Sequence, residues 1–280
     1  MNRYGIGLRR PHFDTIFREA IPEIDFLEVV PENFMEFGGK PLNVLLRARE
    51  QWPIVLHGVS LSIGGPDPLN KTYLSQLGKL VERIEPPWFS DHISYSQAFG
   101  IDYHDLIPLV FSDAMVCHVV DRIDQVQSRF KIPFALENPS YYVAFKESSL
   151  NEAEFINEII HRSGCQLLLD VNNVYVNSKN HGYDPYAMID QLPLHRVIQI
   201  HMAGHDAKGT FIVDTHGEAI IEDVFDLYTY ALKKIGSTWT LLERDNNIPP
   251  LQELLQEFLA MRTRGEDAFE RTIRTLAGNP

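Results

Sequence analysis

Apolar and polar positions follow two rhythms along this chain, and the two take turns from one end to the other. Short runs rich in β-branched and aromatic residues read as strands: YGIGLR near 4–9, DFLEVV at 25–30, PIVLH at 53–57 and PWFSDH at 87–92. They continue with IPFALE at 132–137, QLLLDV at 166–171, RVIQIH at 196–201 and TWTLLE at 238–243. Near-continuous apolar runs of this length suit parallel strands covered on both faces. Between them the apolar spacing changes to threes and fours. Leu74, Leu77, Leu80, Val81 and Ile84 mark a helix over 69–84, and similar patterns predict helices over 111–130, 151–162, 222–235 and 250–263. Eight strands alternating with about eight helices predict an α/β fold, the (β/α)8 TIM barrel. One domain over 1–280 is expected, with the polar tail from about 264 to 280 peripheral, packing as a last helix and then fraying. An open doubly wound sheet usually carries a glycine fingerprint after its first strand, and GIGLRRP lacks the third glycine.

Six of these strands end in a residue that binds metals: His57, His92, Glu137, Asp170, His201 and Glu243. The gaps are 35, 45, 33, 31 and 42 residues, about one strand-plus-helix unit each. In a barrel all of these ends meet at one mouth, where barrel enzymes place their chemistry. A lone strand-end His or Asp is commonly a satisfied polar residue or a cap. Six ionisable groups converging on one mouth would repel or stay unpaired without cations. The long loops after strands three, four, six and seven add His, Asn, Asp and Tyr. Among them are Asn173, His181 and the Asp-x-His pair Asp214 and His216, which could share an ion if the segment is extended. Ten donors exceed the needs of one ion, so two or three ions are expected, bridged by Glu137. Cysteine is absent from the set. Imidazole with carboxylate suits Fe, Mn or Zn, and ligand type alone leaves that choice open. Iron would permit O2 chemistry, whereas zinc or manganese would permit hydrolysis or isomerisation.

Other residues have weaker claims. Glu28, Glu32 and Asn33 end strand two near the mouth, where helix capping is the competing role, and Asn138 could orient Glu137. Asp91 points to the opposite face from His92 and reads as structural. Tyr95, Tyr103, His104, Tyr141, Tyr142 and Tyr175 could line a pocket or pack loops. Arg244 and Asp245 could hold a substrate carboxylate or pair with each other. His12, His118, His161 and His195 fall on helix faces or connections and are not expected to be ligands, while His205 is open.

Composition narrows the partners. Against 38 acidic residues stand 25 basic ones, a net charge of −13, which disfavours nucleic acid. Cys117 and Cys165 are too few for a disulfide framework. No secretory signal and no membrane-length apolar run is visible, so a cytoplasmic protein is expected.

The segments EVVPENF, LHGVSLSIGG, SDHISYS, ALENPSYY, LLLDVNNVYVN, IHMAGH, VDTHGE and LLERDNN together resemble the MbnB/TglH-like multinuclear non-haem iron family. The resemblance runs from about Gly5 to Gln256. It implies a xylose-isomerase-like barrel with two or three irons of mixed valence, oxidising cysteines of a ribosomally made peptide with O2. It also implies a small partner protein that delivers the precursor peptide. The implied ligands are His57, His92, Glu137, Asp170, Asn173, His181, His201, Asp214, His216 and Glu243, with Glu137, Asp170 and Glu243 closest to catalysis. A zinc- or manganese-dependent isomerase or hydrolase, and a non-catalytic metal-binding protein, fit the same residues.

Overall fold

The computed structural model describes residues 2–18, 21–35, 38–209 and 211–276. Eight parallel strands close into a barrel: β1 (Arg3–Gly7), β2 (Phe26–Val29), β3 (Ile54–His57), β4 (Phe89–His92), β5 (Phe134–Glu137), β6 (Gln166–Asp170), β7 (Val197–Met202) and β8 (Trp239–Leu242). Each pairs with its neighbour in order, and β1 closes the ring on β8 with Arg3 opposite Trp239 and Ile6 opposite Leu242. The strand positions agree with the apolar runs to within two residues.

The outer helices are α1 (Lys40–Arg49), α2 (Lys71–Ile84), α3 (Asp113–Arg129), α4 (Glu152–Ser163), α5 (Val171–His181), α6 (Pro185–Gln191), α7 (Glu222–Ile235) and α8 (Leu251–Leu276). Several of them start at side chains that satisfy otherwise free backbone N–H groups. Asn70 accepts from Thr72 and Tyr73 before α2, and Ser112 accepts from Met115 before α3. Asn151 and Glu154 cap α4 reciprocally.

Successive side chains on a strand point to opposite faces, and this splits the apolar residues into two cores. Tyr4, Ile6, Leu27, Val29, Ile54, Leu56, Leu167 and Leu169 pack outward against the helices in one large buried cluster. Phe26, Val55, Trp88 and Leu241 form a separate cluster with Ile198 and Trp239 against it. Strand alternation puts that second cluster inside the barrel, below the mouth.

One expectation needs correction. The polar segment after β6 was expected to be a loop, but residues 171–181 form α5, capped by Asp170 at its start and by Gly182 in the left-handed conformation at its end. Every residue from Val171 to Ser178 is buried, so α5 meets solvent only in its last turn and leaves no amphipathic stripe to read. The tail from 264 continues α8, the last helix expected there, and packs against the barrel. Gly265 sits so close to the Tyr4 and Tyr228 hydroxyls that a Cβ would lie 2.6 Å from each, and Ala268 is buried. Residues 277–280 lie outside the described residues. Two hairpins rise from the loops at the mouth: 95–98 pairs with 101–107, and 206–208 pairs with 211–213.

Candidate metal centre

The inward-facing parity that fills the barrel with Val55, Ala135, Leu168 and Leu241 brings the residue two positions further on each strand to the mouth. These are His57, Glu137, Asp170 and Glu243, all buried. On β4 the same parity raises His92 above Ser90, and on β7 it raises His201 above Gln199. Asp91 faces the other way, as expected, and accepts from the Leu61 N–H and its neighbour's N–H.

Glu137 Oε2 stands at the centre. His57 Nε2 lies 3.0 Å from it, His92 Nε2 3.3 Å and His201 Nδ1 3.7 Å. Glu243 Oε2 is 2.9 Å from His201 Nδ1 and 3.3 Å from His216 Nδ1. His216 Nε2 then reaches Asp214 at 2.8 Å and Asp170 Oδ2 at 3.8 Å. The Asp-x-His pair therefore does converge, from a loop in which His216 adopts a left-handed backbone. Among the described residues, seven side chains form overlapping groups whose donor atoms fall within 4.8 Å of one another. They are His57, His92, Glu137, Asp170, His201, His216 and Glu243.

The rest of each donor is tied back into the protein. His57 Nδ1 meets Ser90 Oγ at 2.8 Å, and His92 Nδ1 faces the Gly58 carbonyl at 3.2 Å. Asn173 Nδ2 donates to Glu137 Oε1, and the Asn173 N–H donates to Asp170 Oδ1. The second atom of several groups is left over. Glu137 Oε2, Asp170 Oδ2, Asn173 Oδ1, His201 Nδ1 and His216 Nε2 are all buried without a hydrogen-bond partner. An unsatisfied buried polar atom costs about 1–3 kcal/mol. Four of these belong to side chains of the overlapping donor groups and the fifth to Asn173 beside Glu137, an arrangement that fits metal ions, and the oxygen and imidazole donors suit a borderline divalent or trivalent ion.

The electrostatics agree. Burial opposes charge on His92, yet Glu137, Asp91 and Glu243 outweigh it and lift its pKa to about 9. Burial likewise opposes charge on Glu137, but His92, His57 and His201 hold its carboxyl down at about 2. Burial raises Asp170 well above the carboxylate range, helped by Glu137 and Asp214 and opposed by His216. A buried acidic cluster of this kind draws protons onto its imidazoles when no cation takes their place.

Sequence and structure comparisons place the chain. A family model described as RiPP precursor modification enzyme MbnB/TglH/ChrH matches residues 3–265. The chain belongs to this family. It is 47% identical over 254 residues to the UPF0276 protein of Anaeromyxobacter sp. (strain Fw109-5), covering 91% of this chain and 89% of that protein. It is 41% identical over 261 residues to the UPF0276 protein of Caulobacter vibrioides (strain NA1000 / CB15N), covering 93% of each. In fold it is similar to D-psicose 3-epimerase from Clostridium cellulolyticum H10, with a TM-score of 0.64, 13% identity and 95% and 99% of the two chains covered. Endonuclease IV from Thermus thermophilus gives a TM-score of 0.61 at 15% identity, covering 95% and 99%. At these identities the likeness is one of fold, the xylose-isomerase-like TIM barrel.

Within this MbnB/TglH/ChrH-family barrel some expected residues fall elsewhere. His181 does not join the cluster. Eight residues of helix separate it from Asn173, about 12 Å of rise, and it stacks on Tyr141 with Nε2 2.9 Å from the Tyr141 carbonyl. Arg244 and Asp245 do not pair: Arg244 binds Glu257 at 2.6 Å, and Asp245 binds Arg9 at 2.5 Å. Tyr175 turns away to Asp223, and Glu32 accepts from Val59, Ser60 and the Tyr73 hydroxyl as a loop organiser. His205 faces Asn172, while His12 and His118 face backbone carbonyls. Arg9 went unnoticed in the sequence. Its guanidinium lies 3.4 Å from Glu243 Oε1, so the buried carboxylate has a fixed cation beside it. The centre opens into a cavity of about 630 Å³ walled by Tyr141, Tyr142, Val143, Ile107 and Val213. No helix among the described residues is long and apolar enough to cross a membrane.

Proposed function

We propose that this chain is a multinuclear non-haem iron enzyme that oxidises a cysteine of a ribosomally made precursor peptide, with O2 accepting the electrons. The observation that carries the reading is Glu137 Oε2, buried and without a hydrogen bond among three imidazoles. His57, His92, Glu137, Asp170, His201 and Glu243 would hold the catalytic ions, with Glu137 as the bridge. Asn173, Asp214 and His216 would complete a further position. Iron bound there supplies a Lewis-acidic hold on a thiolate and a route for electrons to O2.

The chain's own residues supply the rest. Asn173 and the start of α5 fix one oxygen of Glu137 and of Asp170, leaving the other oxygen of each aimed inward. Ser90 and Gly58 set the rings of His57 and His92 so that Nε2 faces the centre. Such rigid backing is what holds a metal site to its working geometry. The cavity has room for a peptide side chain, and Tyr142 and Val143 give it an apolar wall. Family membership favours a peptide substrate; a small partner that delivers the peptide and work in the cytoplasm are part of the same proposal.

Anaerobic purification followed by metal analysis and O2 exposure tests the reading. Near-stoichiometric iron with a visible spectrum that changes on O2 is expected. Colourless protein holding zinc, with activity on the peptide unchanged without O2, would overturn it.

A further inference from the structure

The imidazoles of the centre are backed by different chemistry. Behind His57 is a neutral hydroxyl, and behind His92 the Gly58 carbonyl at 3.2 Å, with the Asp91 carboxylate farther off at 3.8 Å from the same Nδ1. Behind His201 is a carboxylate: Nε2 lies 3.1 Å from Glu28 Oε2, and both side chains are essentially inaccessible to solvent. Nδ1 of the same ring is the buried, unpartnered atom facing Glu137 and Glu243. An ion held through Nδ1 leaves the ring proton on Nε2, where Glu28 accepts it. A carboxylate behind a ligating imidazole makes the ring a stronger electron donor.

Glu28 is itself steered. Trp88 Nε1 can only donate, and it donates to Gln199 Oε1 at 2.9 Å. That bond fixes the amide, so Gln199 Nε2 points up, 2.6 Å from Glu28 Oε2 and 2.9 Å from His201 Nε2. Gln199 therefore competes with His201 for the charge on one oxygen of Glu28. All four side chains are buried on inward-facing positions of β7, β2 and the approach to β4, directly below the mouth.

Resting on the metal centre read above, the geometry points to Glu28 as a positioning residue that makes the metal positions unequal. Through His201 it would make an ion held at Nδ1 the more electron-rich and favour that ion's higher oxidation state. Gln199 trims the effect.

The test is a redox titration of wild type, Glu28→Gln and Gln199→Met, each loaded anaerobically with Fe(II) alone and followed by electron paramagnetic resonance. Metal content and thermal unfolding are measured alongside. Glu28→Gln keeps the shape but removes the charge, so the midpoint of one iron is expected to move to a more positive potential. Gln199→Met releases Glu28 to His201, so the shift is expected in the opposite direction. Opposite signs are an outcome that loss of packing alone would not produce. Midpoints that are unchanged, or that move the same way in both variants, would overturn the proposal. Should Glu28→Gln fail to fold or load, Gln199→Met decides: a negative shift supports the proposal and no shift overturns it. Failure of wild type to load iron would instead overturn the metal reading beneath both.

Discussion

At the scale of single residues, the centre rests on pairs of atoms, one held by protein and one left over. Glu137→Gln keeps the size of the side chain but replaces the anionic oxygen shared by three imidazoles. Metal analysis is expected to show at least one ion fewer per chain, and a full complement would remove Glu137 as a ligand. The strand-end donors were legible because a titratable group closing an apolar run breaks a strong pattern, and six such breaks fell at barrel spacing. Arg9, Ser90 and Gln199 were not legible. Their work is to hold one partner in three dimensions, and a hydrogen bond to a residue more than a hundred positions away leaves no local signature, as with Trp88 and Gln199. His181 was misplaced for the same reason: its residue type suited a ligand, but the helix beneath it decided where it went.

At the scale of elements, the loops that complete the centre depend on tight backbone crossings. Gly204 follows β7 at the point where residues 218 and 219 pass against it, and a Cβ there would collide with the Glu218 carbonyl. Gly204→Ala is expected to destabilise the fold by about 2 kcal/mol or more and to reduce metal content by shifting His216. Unchanged thermal unfolding would show that the crossing has slack. The start of α4 carries a second device. Burial lifts the Glu152 carboxyl to about 7, against the opposing hydrogen bonds of Tyr183, Tyr141 and Asn177. Its folded pKa thus lies above its unfolded value, so its contribution is fully present below about pH 4.5 and is lost as pH rises through about 7. The loss is roughly 3 kcal/mol. Glu152→Gln removes this titration, so its melting temperature relative to wild type is expected to climb between pH 5 and 8. A difference that stays flat with pH would contradict it. The barrel strands and the long amphipathic helices were legible, whereas α5, buried from Val171 to Ser178, lost its period, and α1, α6 and the two mouth hairpins were too short to announce themselves.

At the scale of the whole molecule, eight strands drawn from both ends of the chain deliver their termini to one mouth, and the barrel keeps those termini in fixed relation. Binding to the folded state alone stabilises it, by about 2.7 kcal/mol at a hundredfold excess over the dissociation constant. Loading with Fe(II) is therefore expected to raise the melting temperature by several degrees, and chelation to lower it again. An unchanged transition would mean that the buried donors do not bind ions tightly. The most direct test of a multinuclear centre is the number of metal ions per chain in protein purified without O2 or chelator. Two or three irons per chain are expected, and less than one ion of any metal would contradict the centre described here.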